Sequence, residues 1–513
     1  MRRAALLPFD VTKEIRGLAG AWLACLTALV LPAAMGVRAT RGLEIPAYLL
    51  GAAALGALSI GHEYTHSTLT LLLSQPRSRA RLFLVKQGVL AAMLLTLAAV
   101  AGAVVDVRAR ESATLAFALL PVLCGLFVAP WLTMLCRSPL AGTVFAVALP
   151  ALLLIVSELL YVATYGRGPG ADVEMAIVWR TTLGLCAVAA VMSWRMFMRL
   201  ESIDGRGPEV QLPEWLQGLS TTRIAAPALT KRRPLWLLIK KELWLQQTAL
   251  AVAALWLLCL PLVWIWVGDW GPGQSIQPAP LLPRTPNRAD VLSALTLFYS
   301  AFISMLIGAL ASAEERRLGT LEWQVLLPFA TWKQWIIKVG TALGLALLLA
   351  LGLPGLLLAA VDPAAGIQFL QRNPQLAVGV AVLTLISLYV SSLCTSGLQA
   401  LLISLPVIFG VVLPAGVVAA WRGSYGLHAV MAARRSAEKA WASVGMSLDA
   451  GGRLMSMLEL LLVAAILAVA LRFALGNHRS TAHAGRRVWT QVIVMSICAV
   501  VGALLLTGMA ALS

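Results

Sequence analysis

Charge is scarce in this sequence. Charged residues make up 12% of 513 positions against 60% hydrophobic residues, and the mean hydropathy is +0.85. So few charges cannot clothe a water-soluble globule of this length, which excludes that class. Cysteines number 7. Cys25, Cys124, Cys136, Cys186, Cys259, Cys394 and Cys498 all fall in apolar runs without paired spacing, which excludes a cysteine metal module or a disulfide framework and reads them as small core residues. No Gly-Lys dipeptide occurs, so the phosphate-binding loop G-x-x-x-x-G-K-[ST] is excluded. Any ATP chemistry has to come from another chain.

What the sequence does have is long apolar runs. A spanning helix needs roughly 20 apolar residues, because its backbone must satisfy its own hydrogen bonds across about 30 Å of hydrocarbon. Six runs occur in the first half, at 17–37, 45–61, 87–105, 113–136, 139–162 and 174–194. Seven follow, at 248–267, 291–313, 339–361, 376–394, 398–421, 454–471 and 488–511. The stretch 376–421 carries no charge, and only Thr395, Ser396 and Gly397 mark a turn in it. The expected fold class is an all-α polytopic membrane protein. Met1 to Arg16 contains Asp10 and Glu14 and leads to no small-residue cleavage site, so the N-terminal segment is expected to be retained.

The formal net charge of +17 raises nucleic acid as a partner, but in so apolar a chain the placement of Lys and Arg decides more than their sum. No nucleic acid is expected. With the N-terminus inside, 26 of the 40 Lys and Arg fall on cytoplasmic segments, and an odd number of spans leaves the C-terminus outside. The expected location is the cell (inner, cytoplasmic) membrane, with membrane lipid as solvent.

An internal repeat organises the chain. GHEYTHSTLTLLLSQPRSRARLFLVK (61–86) aligns without gaps with AEERRLGTLEWQVLLPFATWKQWIIK (313–338), at an offset of 252. Glu63 meets Glu315, Thr68 meets Thr320, Pro76 meets Pro328 and Lys86 meets Lys338. Both segments lie between the second and third spans of their half. TKEIRGL (12–18) echoes KKELWLQ (240–246) at 228, and LCRSPL (135–140) echoes LCTSGL (393–398) at 258. The Pro- and Gly-rich outer loop 268–290 accounts for the growth of the offset. The expected domains are a first half at 1–200, a polar linker at 201–233, a second half at 234–475, and a basic loop with an extra span at 476–513. In each repeated segment Ser67-Thr68 or Gly319-Thr320 is expected to start a short helix by hydroxyl capping, with Pro76 or Pro328 ending it. Such a helix either rests on lipid headgroups or docks a partner.

Two other classes compete. His62-Glu63-Tyr64-Thr65-His66 reads H-E-x-x-H, which on a helix places two imidazoles one turn apart for zinc with Glu as general base. The remaining histidines, His428, His478 and His483, lie far along the chain. The second copy keeps Glu315 and drops both imidazoles, so a metalloprotease role conflicts with the repeat, and no metal site is expected. A secondary active transporter also fits a two-repeat membrane chain, but deep charges are few, and Glu158 and Glu459 lie near the ends of their runs.

The repeated segment resembles the loop of ABC-2 type transporter permeases. Members carry a Glu, a Gly-Thr, a hydrophobic stretch, a Pro followed by basic or small residues, and a Lys opening the next helix. The first copy matches at Glu63, Thr68, Pro76, Arg79 and Lys86, departing at Ser67; the second matches at Glu315, Gly319, Thr320, Pro328 and Lys338, departing after Pro328. The resemblance implies two tandem six-span halves, as in fused full-size permeases, with this loop as the coupling helix. It implies interface helices at 5–16, with Lys13 and Glu14, and at 234–245, with Lys241 and Glu242. It implies two copies of a cytoplasmic ABC ATPase subunit as partners, with ATP and Mg bound by them and no cofactor on this chain. The chain would be a transport subunit rather than an enzyme, exporting a substrate that its Leu-, Ala- and Val-rich spans suggest is hydrophobic or amphipathic.

Overall fold

The computed structural model describes residues 9–34, 44–65, 68, 78–104, 118–165, 171–199, 234–268, 288–319, 330–361, 374–408, 448–479, 490–491, 493–495, 497–498 and 501–502. All elements among them are helical. The first half contains α1 (Phe9–Ala34), α2 (Glu44–Thr65), α3 (Arg79–Val104), α4 (Ala118–Cys136), α5 (Pro139–Tyr165) and α6 (Ala171–Met198). The second contains α7 (Pro234–Leu245), α8 (Gln247–Gly268), α9 (Arg288–Arg317) and α10, which runs from Thr331–Leu347 through a π turn at Leu348–Gly352 into Leu353–Val361. It closes with α11 (Pro374–Ser391), α12 (Gly397–Ile408) and α13 (Leu448–His478). Eight helices among the described residues are long and apolar enough to cross a bilayer. The chain is an all-α polytopic membrane protein.

Contacts divide it into two compact units. One comprises Met1–Cys25, Tyr48–Ile303 and Leu348–Asn373; the other comprises Leu26–Ala47, Ser304–Leu347 and Pro374–Ser513.

In the first unit the core forms where α2 meets α4. Without a hydrophobic drive between helices in lipid, close approach depends on small residues. Gly56 supplies it: a Cβ there would lie 1.9 Å from the Gly125 carbonyl oxygen and 2.8 Å from Ala129 Cβ. Gly125 sits in a π turn of α4 (Cys124–Val128). Around this contact Ala53, Ala57, Val128, Ala129, Leu132, Ala146, Cys186 and Ala189 form a buried cluster spanning α2, α4, α5 and α6. In the second unit Gly308 does for α9 and α11 what Gly56 does for α2 and α4. A Cβ on Gly308 would lie 2.4 Å from the Thr384 carbonyl oxygen and 2.7 Å from Ser387 Cβ. Gly308 stands 252 residues after Gly56, and Ser387 stands 258 after Ala129, so the two offsets read from the repeats describe one recurring helix contact.

Helix ends recur as well. Ser138 caps α5 by accepting from the Ala141 N–H at 3.3 Å, and Ser396, 258 residues later, caps α12 by accepting from the Gln399 N–H at 3.3 Å. The break between α11 and α12 falls at 392–396, where the sequence marks its turn. Residues 9–16 continue into the first span as one helix, because no proline or cap interrupts them and isolated glycines at 17 and 20 do not end a helix. In the second half α7 is a separate helix, ended by a turn at Gln246.

Gly56→Val is expected to destabilise the protein by about 1–3 kcal/mol or more through overpacking against the Gly125 carbonyl. Gly88→Val is expected to change little, since nothing lies within 4 Å of its Cβ position. Thermal unfolding in detergent compares the two directly.

Candidate functional site

Both repeated segments are closed at their base by a buried lysine–glutamate pair. In the first, Glu63 lies two residues beyond the apolar run 45–61, near the end of α2, and Lys86 lies in the second turn of α3. Lys86 Nζ donates to Glu63 Oε1 at 3.2 Å and to the Ser59 carbonyl at 3.3 Å. It also reaches Glu14 of α1, with Nζ 2.9 and 2.8 Å from the two carboxylate oxygens. Lys13 Nζ approaches Glu63 Oε1 at 3.4 Å from a half-exposed position, and the Thr68 hydroxyl donates to Glu63 Oε2. The Thr68 N–H donates to the Glu63 carbonyl at 3.0 Å, closing the end of α2. Thr68 thus serves Glu63 with its hydroxyl, where the sequence suggests a cap for a following helix.

In the second segment Lys338 Nζ pairs with Glu315 Oε2 and donates to the Ala311 carbonyl at 3.0 Å. Lysine, glutamate and carbonyl stand at 86, 63 and 59 in one copy and at 338, 315 and 311 in the other, each shifted by 252. Lys338 and Glu315 are 0% exposed. Gly319 adopts φ +66 as its N–H bonds the Arg316 carbonyl at 3.2 Å, so it ends α9 in the left-handed conformation that favours glycine. The helix expected to start at Gly319-Thr320 falls on residues outside the described ones, as do Thr320, Pro328 and Pro76.

A second pair of contacts fastens each segment to the last helix of its half. Arg79 Nη1 donates to the Met198 carbonyl of α6 at 2.6 Å, while Arg316 Nη2 donates to the Asn477 carbonyl of α13 at 2.9 Å. Both cations meet the carbonyl end of a helix, where the macrodipole favours them. One turn into α3, Phe83 packs on Phe197 with centroids 5.1 Å apart; 252 residues later Trp335 lies 5.4 Å from His478.

No family profile, characterised protein or solved structure matches this chain.

Of the interface-helix residues, Lys13 and Glu14 join the first cluster directly. In α7, Lys241 Nζ lies 3.4 Å from the buried Glu242. His62 lines a cavity of about 310 Å³ with Lys13, Glu14, Arg16, Gly17, Leu18, Leu58 and Glu63. His66 lies outside the described residues, and among those described no group of three His, Cys, Asp or Glu is placed to hold a metal ion. Both Glu63 carboxylate oxygens already accept hydrogen bonds, which opposes use of that carboxylate as a general base. Ser59 and Ala311 escape sequence reasoning because they act through the backbone. The signal that finds them is that each stands one helical turn before its glutamate.

Burial raises the Glu63 pKa, but Lys86, the Thr68 hydroxyl and Lys13 together outweigh it and bring it to about 2. A carboxyl whose folded pKa lies below its unfolded value contributes stability above the unfolded pKa and loses it as pH falls toward the folded one. The window runs from about 4.5 down to about 2. The difference in melting temperature between wild type and Glu63→Gln is therefore expected to stay level from neutral pH to about pH 5 and to shrink only below that. In the second copy, Lys338→Met leaves Glu315 buried without its cation and is expected to cost roughly 3–5 kcal/mol, most of which the added Glu315→Gln restores. A double-mutant cycle on thermal unfolding measures both effects.

Proposed function

We propose that this chain is the permease of an ABC exporter of the ABC-2 type, with two tandem six-span halves plus one added C-terminal span. In this reading it sits in the cytoplasmic membrane with its N-terminus inside. It couples ATP hydrolysis by two cytoplasmic ATPase subunits, which bind ATP and Mg, to export of a hydrophobic or amphipathic substrate. The observation that carries the proposal is the recurrence of the buried lysine, its glutamate and the carbonyl one turn earlier at a constant offset of 252. Two loops closed by the same internal brace support a symmetric task, such as docking two copies of one partner.

The geometry suits force transmission. Each pair crosses the base of a loop and ties the end of one helix to the start of the next, so a push on the loop is delivered to two helices together. In the first copy Glu14 brings α1 into the same cluster, and Arg79 brings in the end of α6. ATP-driven closure of the partner dimer would draw the two loops together and shift the halves between inward-open and outward-open states, through stronger binding to one of them. The engaged Glu63 and the second copy without imidazoles weigh against a zinc protease.

Purification of the tagged chain from membranes of its native host is expected to recover an ATPase subunit at two per permease. Inverted vesicles carrying both are expected to take up substrate only with ATP. Recovery of no ATPase, or uptake that survives ATP depletion and stops with an uncoupler, contradicts the proposal and favours a secondary transporter.

A further inference from the structure

The last turn of α13 is a polar junction buried in the second unit. Asn477 donates from Nδ2 to Ser392 Oγ at 3.0 Å and to Gln491 Oε1 at 3.0 Å, and Gln491 Nε2 returns a bond to Asn477 Oδ1 at 2.9 Å. Asn477, Gln491 and Ser392 are all buried. The Asn477 backbone carbonyl accepts from Arg316, and the adjacent His478 packs near Trp335. One helical turn therefore touches the end of α9, the start of α10, the residues after α11 and the segment that follows α13.

That following segment, helical where described between 490 and 502, runs antiparallel to α13. Gln491 meets Asn477, and eleven residues onward Gly502 meets Ile466, which stands eleven residues before Asn477. The two index sums are equal, as an antiparallel pair of helices in constant register requires. The eleven residues of α13 between these contacts span about 16 Å. A Cβ on Gly502 would lie 2.7 Å from Ile466 Cδ1, so the pair is close at its far end as well.

The first copy has the arginine and the aromatic contact at the end of α6, but Phe197 and Met198 there offer no amide to hold a further helix. The second copy has both contacts and adds the amide pair. We propose that the described helical residues between Thr490 and Gly502 brace the second coupling segment, with Gln491 and Asn477 as positioning residues. Gln491 holds the Asn477 amide, Asn477 holds the last turn of α13, and the carbonyl of that turn anchors Arg316 where the chain leaves α9. Both amides are buried and satisfy each other, so breaking the pair leaves polar atoms without water or partner and the hairpin opens less readily than a surface contact. The functional consequence rests on reading 313–338 as a docking segment: the two ATPase sites are then non-equivalent, the second being held by an amide pair that has no counterpart among the described residues at the end of α6.

Hydrogen exchange of the full-length chain in lipid nanodiscs, with no ATPase present, tests the brace. The reporters are the amides of Leu318 and Gly319, bonded to the Glu314 and Arg316 carbonyls, against amides 61–65 at the end of α2. Gln491→Leu is expected to raise exchange at Leu318 and Gly319 by on the order of tenfold, while 61–65 stays within about twofold. Gly502→Leu, which wedges the hairpin at its far end and leaves the amides in place, is expected to give the same selective rise and serves if Gln491→Leu does not accumulate. Unchanged exchange at Leu318 and Gly319, or an equal rise at 61–65, overturns the brace. A selective rise with no ATPase in the purification leaves the brace standing and fails the docking reading; the reverse pattern fails the brace alone.

Discussion

Lys338 and Glu315 are completely enclosed in a chain that has few charges to spend, and the architecture around each repeated loop follows from that pairing. Removing two charges from water is costly, so a buried pair persists only where geometry and added hydrogen bonds compensate it. Here the compensation comes from a carbonyl one turn before the glutamate, at Ala311 and likewise at Ser59. The lysine must then enter its helix beside the preceding one, which sets how the two helices flank the loop. Gly308 and Gly56, one turn and more further in, let that preceding helix press against the fourth span of its half. Ion pair, carbonyl and glycine thus lie in order along one helix face, and the order is the same in both copies.

The copies differ in what reinforces this common frame. The first draws a second carboxylate, Glu14, onto its lysine and adds the Thr68 hydroxyl and Lys13 to Glu63. The second uses serine hydroxyls between helices, with Ser387 bonding the Met305 carbonyl and Ser391 the Ala309 carbonyl, each at 2.7 Å. The π turn lies in α4 in the first half and in α10 in the second. One contact pattern is reinforced by two sets of polar groups, as expected where most buried polar atoms in a low-dielectric interior need a partner.

Much of the site was legible because the repeat could be aligned without gaps. Glu63, Lys86, Glu315 and Lys338 stood out by their constant spacing, and Lys13 and Glu14 by a shorter echo. The turn at 392–396 was legible from three small polar residues in an uncharged stretch. That Gly319 ends α9 was not legible, because a Gly-Thr pair is compatible with either end of a helix and only the backbone angle identifies a terminating glycine. Where the segment at 9–16 joins the first span was not legible either, because composition does not mark a break in a helix; a turn or a missing hydrogen bond does.

By itself the sequence determined the membrane environment, the helical class and the duplication, because hydrocarbon thickness and backbone hydrogen bonding leave an apolar chain few alternatives and a repeat is visible as text. Tertiary structure alone decided which atoms meet. The carbonyls of Ser59 and Ala311, the pressure of Gly56 on Gly125, and the pairing of Asn477 with Gln491 depend on distances between separate helices. A one-dimensional pattern records the period of a helix face, but it does not record which other face lies opposite.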